Sequence, residues 1–170
     1  MILTRPVILE EIQKGNIAIE PFDESFLGAA SYDLALGREL RIFIKQSDAY
    51  PVRDDADFAL ITKLIEMSDQ GYTLKPGETV LGITKEKITL APNIAGWLEG
   101  RSRFARIGLM VHISSPFMQP GIDSYQVLEI ANLAPTPLTI FPETKICQFI
   151  FQYCKGAATY TGRFAKQTRP

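Results

Sequence analysis

The sequence has 170 residues, of which 46% are hydrophobic and 22% are charged. A chain of this length and composition buries a core of its own, which excludes intrinsic disorder as the main state and makes disulfide bonds unnecessary for stability. Eighteen Lys and Arg against nineteen Asp and Glu give a formal net charge of −1. Because nucleic-acid-binding surfaces usually carry a basic excess, we expect no nucleic acid partner.

The two cysteines, Cys147 and Cys154, have no histidine near them in the sequence. They therefore suit neither a zinc ligand set nor a disulfide framework. No segment approaches the ~18 apolar residues of a membrane span, and the first residues lack the apolar run and cleavage site of a signal peptide. We expect a cytoplasmic protein with reduced thiols, no bound zinc and no membrane partner.

A short helix is predicted first, with Thr4 before it, Pro6 in its first turn and Gly15 behind its end. From residue 17 onward, short β-branched and apolar runs alternate with Gly, Pro, Asn and Asp, as in a succession of strands. Residues 45–57 are charged and polar and are predicted as a loop. The predicted strands are 17–20, 31–36, 38–44, 79–84, 94–99, 108–113, 125–132, 136–141 and 145–153, with a further strand-like run at 59–65. This order favours a β-sandwich, jelly roll or barrel.

The segment after Gly100 is rich in arginine, because Arg101, Ser102, Arg103 and Arg106 follow within six positions. At the start of a short helix, backbone N–H groups and guanidinium groups can bind phosphate oxygens. A basic turn held by salt bridges on a solvated face explains the same pattern.

Glu129 interrupts an apolar strand and alternates with Val127 and Ala131 on one face. A partly buried carboxylate there suits a general acid or base. The alternatives are a structural ion pair with a nearby arginine and an outward-facing residue on an edge strand. The single histidine, His112, lies in an apolar run and is interpreted as a core residue. The segment 160–167 mixes aromatic, cationic and amide groups, which suits either a frayed end or a lid over a ligand.

Several of these segments together resemble the dCTP deaminase branch of the dUTPase superfamily. The resemblance rests on Gly100-Arg101-Ser102, Ala105 to Leu109, Val111-His112, Pro120-Gly121 and Val127-Leu128-Glu129. Ala30 to Leu34 and Lys145 to Phe149 are similar to its early and late strand signatures. Tyr160, with Gly162-Arg163-Phe164 and Gln167, is similar to its phosphate-covering segment.

The resemblance implies a mainly β, distorted barrel or jelly roll, with a short N-terminal helix and another after Gly-Arg-Ser. Residues 1–159 would form one domain and residues 160–170 a lid, in a homotrimer with sites between subunits. Glu129 is then the general base, while Arg101, Ser102 and Arg106 contact phosphates and position water, and Gln167 binds the triphosphate. The other expected substrate contacts are Phe117, Gln119, Val127, Tyr160 and Arg163. Mg²⁺ is expected on the phosphates and no zinc on the water.

The sequence departs from the family pattern at several of these positions. Gln119 replaces an acid, Ile122 an aromatic residue, Arg103 a second serine and Ser124 a glycine. Phe117 stands where strictly deaminating enzymes carry an arginine and resembles the bifunctional members, whereas Gln119 argues against bifunctionality, because an amide cannot accept a proton as a carboxylate does.

The expected function is zinc-independent hydrolytic deamination of dCTP to dUTP and ammonia. The first alternative is an enzyme that gives dUMP and pyrophosphate, either a bifunctional deaminase and diphosphatase or a dUTPase without deamination. The second is a nucleotide-binding regulator without catalysis.

Overall fold

The computed structural model describes residues 1–112 and 114–170. Within them, the helices are α1 (Arg5–Gln13) and α2 (Ser102–Ala105), and single 3₁₀ turns cover Glu24–Phe26 and Phe58–Leu60. The strands are β1 (Ile17–Glu20), β2 (Tyr32–Phe43), β3 (Thr62–Glu66), β4 (Tyr72–Leu74), β5 (Thr79–Leu90), β6 (Ile94–Gly100), β7 (Leu109–Val111), β8 (Phe117–Met118), β9 (Asp123–Asn132), β10 (Leu138–Ile140) and β11 (Lys145–Tyr153).

The two helices confirm the sequence prediction in kind and in place. Thr4 is the extended residue before α1, Pro6 lies in its first turn, and Gly15 follows its end with φ +74°. Ile8 is fully buried on the inner face of α1. The second helix, α2, has one turn only and comes directly after Arg101.

One antiparallel sheet contains nine of the eleven strands in the described residues. Seven strands run in the order β7-β9-β5-β2-β11-β6-β8, with β1 added on β5 and β3 on β2, and β10 pairs with β4 separately. Three of the ladders contain register shifts, and such bulges bend a sheet. The sheet curls into a half-barrel, so the predicted mainly β, barrel-like fold is confirmed.

The core fills the inside of this curl with aliphatic and aromatic side chains. Tyr32, Phe149 and Phe151 are its largest fully buried members. Gly96 on β6 leaves room for one of them, because a Cβ at this position would lie 1.9 Å from the ring of Phe149. A side chain at residue 96 would therefore push β6 away from β11.

Strand bounds differ from the prediction where strands continue through an irregularity. The predicted strands 31–36 and 38–44 form one strand, β2, since Gly37 lets it approach β5 closely: a Cβ there would lie 3.0 Å from the carbonyl oxygen of Ile83. The predicted strand 79–84 continues to Leu90 after a register shift. Residues 45–57 contain neither helix nor strand, as predicted.

Short elements account for the other differences. The run 59–65 begins as a 3₁₀ turn and becomes β3, and the predicted strand 136–141 is reduced to β10. The strands β4 and β8 were not predicted, and the end of the predicted strand 108–113 includes residue 113, outside the described residues. None of the described helices is long and apolar enough to cross a membrane.

Candidate active site

A cavity of about 490 Å³ lies beside β9 and β8. Its walls come from these two strands, from the segment after β7 and from residues 160–170. The lining residues are Phe43, Phe58, Leu81, His112, Ser115, Phe117, Met118, Gln119, Ile122, Ser124, Gln126, Val127, Glu129, Tyr160, Phe164, Gln167 and Arg169. Six of the predicted site residues, Phe117, Gln119, Val127, Glu129, Tyr160 and Gln167, therefore share one cavity.

Glu129 presents a half-buried carboxylate to this cavity. The backbone N–H of Ser114 donates to Oε2 at 2.8 Å, and the Ser114 hydroxyl lies 2.9 Å from Oε2 and 3.1 Å from Oε1. No arginine or lysine among the described residues forms an ion pair with this carboxylate, so the structural ion pair that the sequence left open is not formed in the chain. Hydrogen bonds from a neutral residue hold the carboxylate in place.

His112 turns the chain so that Ser114 reaches Glu129. Its φ of +62° is in the left-handed region that side chains other than glycine rarely adopt. Its backbone N–H donates to the carbonyl oxygen of Glu129 at 2.7 Å, and its ring Nε2 lies 2.5 Å from the carbonyl oxygen of Ser115. The ring Nδ1 is buried, with no partner among the described residues.

The interpretation of His112 as a core residue is wrong, because its side chain lines the cavity. Nε2 faces a carbonyl oxygen and therefore carries a proton. Val111-His112 belongs to the motifs that carry the family resemblance, and this was the signal in the sequence for a site role of His112.

The edge of β9 offers main-chain groups to the cavity. The carbonyl oxygen of Glu129 bonds to His112, and both main-chain groups of Tyr125 bond to Gln167, all on the side of β9 that faces away from β5. Main-chain groups of an antiparallel strand alternate in direction with period two, so the N–H and C=O of Val127 point to this same side. Val127 thus places a donor and an acceptor next to each other at the cavity.

Four of the residues 160–170 line the cavity, namely Tyr160, Phe164, Gln167 and Arg169. The Tyr160 N–H donates to the carbonyl oxygen of Pro120 at 3.0 Å, and Gln167 Nε2 donates to the carbonyl oxygen of Tyr125 at 3.1 Å. Arg163 points elsewhere, with Nη1 3.3 Å from the carbonyl oxygen of Ala56, and it does not line the cavity.

The structure does not bring Arg101, Ser102 and Arg106 into the cavity. Arg101 forms a salt bridge with Asp33 at 3.1 Å and donates to the carbonyl oxygen of Lys145 at 2.9 Å. Ser102, the first residue of α2, and Arg106, the residue after its end, are exposed. One arginine of this segment is used in a salt bridge, as the basic-turn interpretation expects, and the other groups are open to solvent. Phosphate binding by the segment stays a prediction.

Among residues 1–112 and 114–170, no three side chains of His, Cys, Asp or Glu form a group that could hold a metal ion. The polar groups that line the cavity are mainly amides, hydroxyls and one arginine, Arg169, with Glu129 as the carboxylate.

Comparison with known proteins decides the family. A family model described as dCTP deaminase-like matches residues 2–154. The chain belongs to this family.

Two relatives support the same assignment. The chain is 37% identical over 179 residues to a protein named dCTP deaminase, dUMP-forming, from Nocardioides sp., which covers all of this chain and 93% of the relative. It is also 37% identical over 164 residues to a protein of the same name from Corynebacterium glutamicum (strain R), covering 95% of this chain and 86% of the relative.

Solved structures share the fold. The 2′-deoxycytidine 5′-triphosphate deaminase from Agrobacterium tumefaciens superposes with a TM-score of 0.70 at 18% identity, over 89% of this chain and 48% of that protein. The dUTPase of Staphylococcus bacteriophage 80alpha superposes with a TM-score of 0.51 at 10% identity, over 86% of this chain and 90% of that protein. The dUTPase-like fold implied by the resemblance is thereby confirmed.

Proposed function

We propose that the protein hydrolyses the amino group of dCTP, with Glu129 as the general base. The observation that carries this proposal is the Glu129 carboxylate, held by Ser114 and directed to a cavity beside the open main-chain groups of Val127. The cytosine edge has an amine that donates and two atoms that accept hydrogen bonds. The C=O and N–H of Val127 match this pattern, and Phe117 offers a ring face to the nucleoside.

In the proposed reaction, Glu129 removes a proton from water, and the hydroxide attacks C4 of cytosine. The protonated carboxyl then returns the proton to the amino group, and the C4–N4 bond breaks to release ammonia. General acid-base catalysis of this kind contributes about 10²–10⁴ in rate.

We further propose that the reaction continues to dUMP and pyrophosphate by hydrolysis of the α–β phosphoanhydride. Two relatives with 37% identity are named dUMP-forming, and Phe117 supports the same product. Release of dUTP, the product expected from the sequence, is the alternative favoured by Gln119, because its amide cannot act as a base.

The triphosphate requires cations that one chain does not supply in the cavity. Arg169 lines the cavity, and Gln167 adds an amide, while Arg101, Ser102 and Arg106 lie outside it. We expect Mg²⁺ to bind to the phosphates of the nucleotide rather than to these side chains. Bound there, it neutralises phosphate charge. A zinc-independent reaction and a cytoplasmic location stay predictions.

The products identify the reaction. The protein, treated with a strong chelator and then supplied with Mg²⁺, is incubated with dCTP or dUTP, and ammonia and pyrophosphate are assayed separately. Ammonia and pyrophosphate from dCTP support the bifunctional reaction, and ammonia alone supports release of dUTP. Pyrophosphate from dUTP without ammonia from dCTP would mean a dUTPase, and nucleotide binding without either product would mean a regulator. Activity restored by Zn²⁺ alone would contradict the zinc-independent mechanism.

A homotrimer is proposed because the site of one chain is incomplete. Near α2, which begins at Ser102 and is followed by Arg106, the side chains of Ile107, Leu133 and Phe141 are 54%, 67% and 46% exposed. Exposed apolar groups in such a cluster suit a subunit interface. A second copy docked there would bring its Gly-Arg-Ser segment to a neighbouring cavity.

The oligomeric state can be measured directly. Light scattering should give about three times the 19.0 kDa mass of one chain. Ile107→Asp should lower this mass and reduce turnover, because a charge at the interface would be desolvated. A monomeric wild-type protein at micromolar concentration would contradict the trimer.

Residues 160–170 are proposed as a lid over the nucleotide, since Tyr160, Phe164, Gln167 and Arg169 line the cavity. Deletion of residues 160–170 should raise the KM for dCTP at least about tenfold, because the closing wall and its polar groups are lost. Steady-state kinetics measure the effect. A truncated protein with unchanged KM and kcat would show that the segment is not a lid.

A further inference from the structure

Trp97 is the only tryptophan of the chain, and it lies next to the cavity without lining it. It stands on β6 directly opposite Phe117 on β8. The two ring centroids are 5.0 Å apart and the ring planes are inclined by 55°. Phe117 lines the cavity, so the tryptophan packs against the back of a cavity wall.

The strand that carries Phe117 has little else to hold it. β8 has two residues and, within residues 1–112 and 114–170, pairs with β6 alone, at the end of the strand order. Next to it, the N–H of Leu98 donates to the carbonyl oxygen of Pro116 at 2.8 Å. A two-residue edge strand gains much of its order from its cross-strand side-chain pair, which here is Trp97 with Phe117.

The tryptophan ring is itself held by the sheet. Its indole Nε1–H donates to Oε1 of Gln152 on β11 at 3.1 Å. β6 is also fixed from behind, because Gly96 lets the ring of Phe149 pack directly against the strand. The order of contacts therefore runs from β11 to Trp97, from Trp97 to Phe117, and from Phe117 to the cavity.

We propose that Trp97 is a positioning residue of the substrate cavity, which sets the place of Phe117 and of the adjacent Gln119. This inference rests on the proposed function, because the substrate is the nucleotide proposed above. Phe117 and Gln119 both line the cavity, whereas Glu129 comes from β9 on another wall. A change at Trp97 should therefore alter substrate binding and leave the proton transfer by Glu129 largely intact.

The test compares Trp97→Leu, Trp97→Phe and Gln152→Leu with the wild type in dCTP turnover. Trp97→Leu should raise KM about tenfold while kcat changes less than about twofold, because ground-state positioning is lost and the base is kept. Trp97→Phe keeps an aromatic ring against Phe117 and should rescue most of the loss. Gln152→Leu leaves the ring but frees its N–H, so its KM should rise by a smaller factor.

A double-mutant cycle shows whether Trp97 acts through Phe117. In the Phe117→Leu background, Trp97→Leu should cause no further rise in KM. Additive effects of the two changes, or a wild-type KM in Trp97→Leu, would overturn the inference. Far-ultraviolet circular dichroism shows whether Trp97→Leu folds. If it does not, the KM of Gln152→Leu is compared with that of the wild type, and an unchanged KM would overturn the inference.

Tryptophan fluorescence adds a readout that does not need turnover. Because Trp97 is the single tryptophan and contacts the cavity wall, dCTP with Mg²⁺ should change its emission in Glu129→Gln. No change at saturating dCTP would contradict the contact between Trp97 and the occupied wall. A wild-type protein that turns over neither dCTP nor dUTP would instead contradict the proposed function, and the two failures are thereby distinguished.

Discussion

Glu129→Gln should lower ammonia release from dCTP by at least about 10², the lower end of general-base contributions, which corresponds to about 2.7 kcal/mol in the barrier. The amide keeps the size of the side chain and one oxygen that accepts from Ser114. It has no basic site for a proton from water. Single-turnover assays of ammonia measure the chemical step, and fluorescence titration measures whether dCTP still binds.

A structural role for Glu129 gives the opposite pattern. Loss of the Ser114 contacts would then lower the melting temperature, while the folded fraction would turn over normally. Glu66→Gln is the matched control, because Glu66 is an exposed carboxylate at the end of β3, away from the cavity lining. It should behave as the wild type in all three measurements. A Glu129→Gln protein with normal turnover per folded molecule would remove Glu129 from the mechanism.

Much of the fold could be predicted from the sequence because strand periodicity is a local signal. The strands β1, β6, β9 and β11 lie within two residues of their predicted bounds. Gly37 was interpreted as a break, yet it lies inside β2, where the absence of a side chain allows the approach to Ile83. The two residues of β8 are too few to show the alternation of apolar and polar side chains that predicts a strand. They form a strand because they pair with β6.

The site was predicted in part for the same reason. Alternation along β9 placed Val127 and Glu129 on one face, and the structure directs both to the cavity. His112 was missed, because an apolar run does not reveal that one of its residues adopts a left-handed conformation and bonds to Glu129 through its backbone N–H. The distance of Ser102 and Arg106 from this cavity is a property of chain topology, which local patterns do not encode.

Glu86 is another residue whose burial could not be predicted from the sequence. It stands between Lys85 and Lys87, a pattern typical of an exposed segment, yet its side chain is 2% exposed. The register shift between Ile83 and Lys87 turns this carboxyl inward. There the backbone N–H of Ala35 donates to its Oε2 at 2.9 Å.

Burial raises the pKa of Glu86 to about 7 from an ordinary 4.5, and the hydrogen bond from Ala35 opposes this rise only in part. Lys85 lowers the pKa slightly and Glu143 raises it. Because the folded-state pKa lies above the unfolded value, the neutral carboxyl contributes its full stabilisation below about pH 4.5, and this is lost as the pH rises through about 7. A shift of this size corresponds to about 3 kcal/mol.

Glu86→Gln should therefore stabilise the protein at pH 8 by about 2 to 3 kcal/mol and change its stability little at pH 5. The amide oxygen still accepts from Ala35, and the neutral side chain carries no charge into the core. Urea unfolding at both pH values measures the difference, with Glu66→Gln as the exposed control at the end of β3. Equal effects of Glu86→Gln at pH 5 and pH 8 would show that the Glu86 carboxyl stays charged in the folded protein throughout this range.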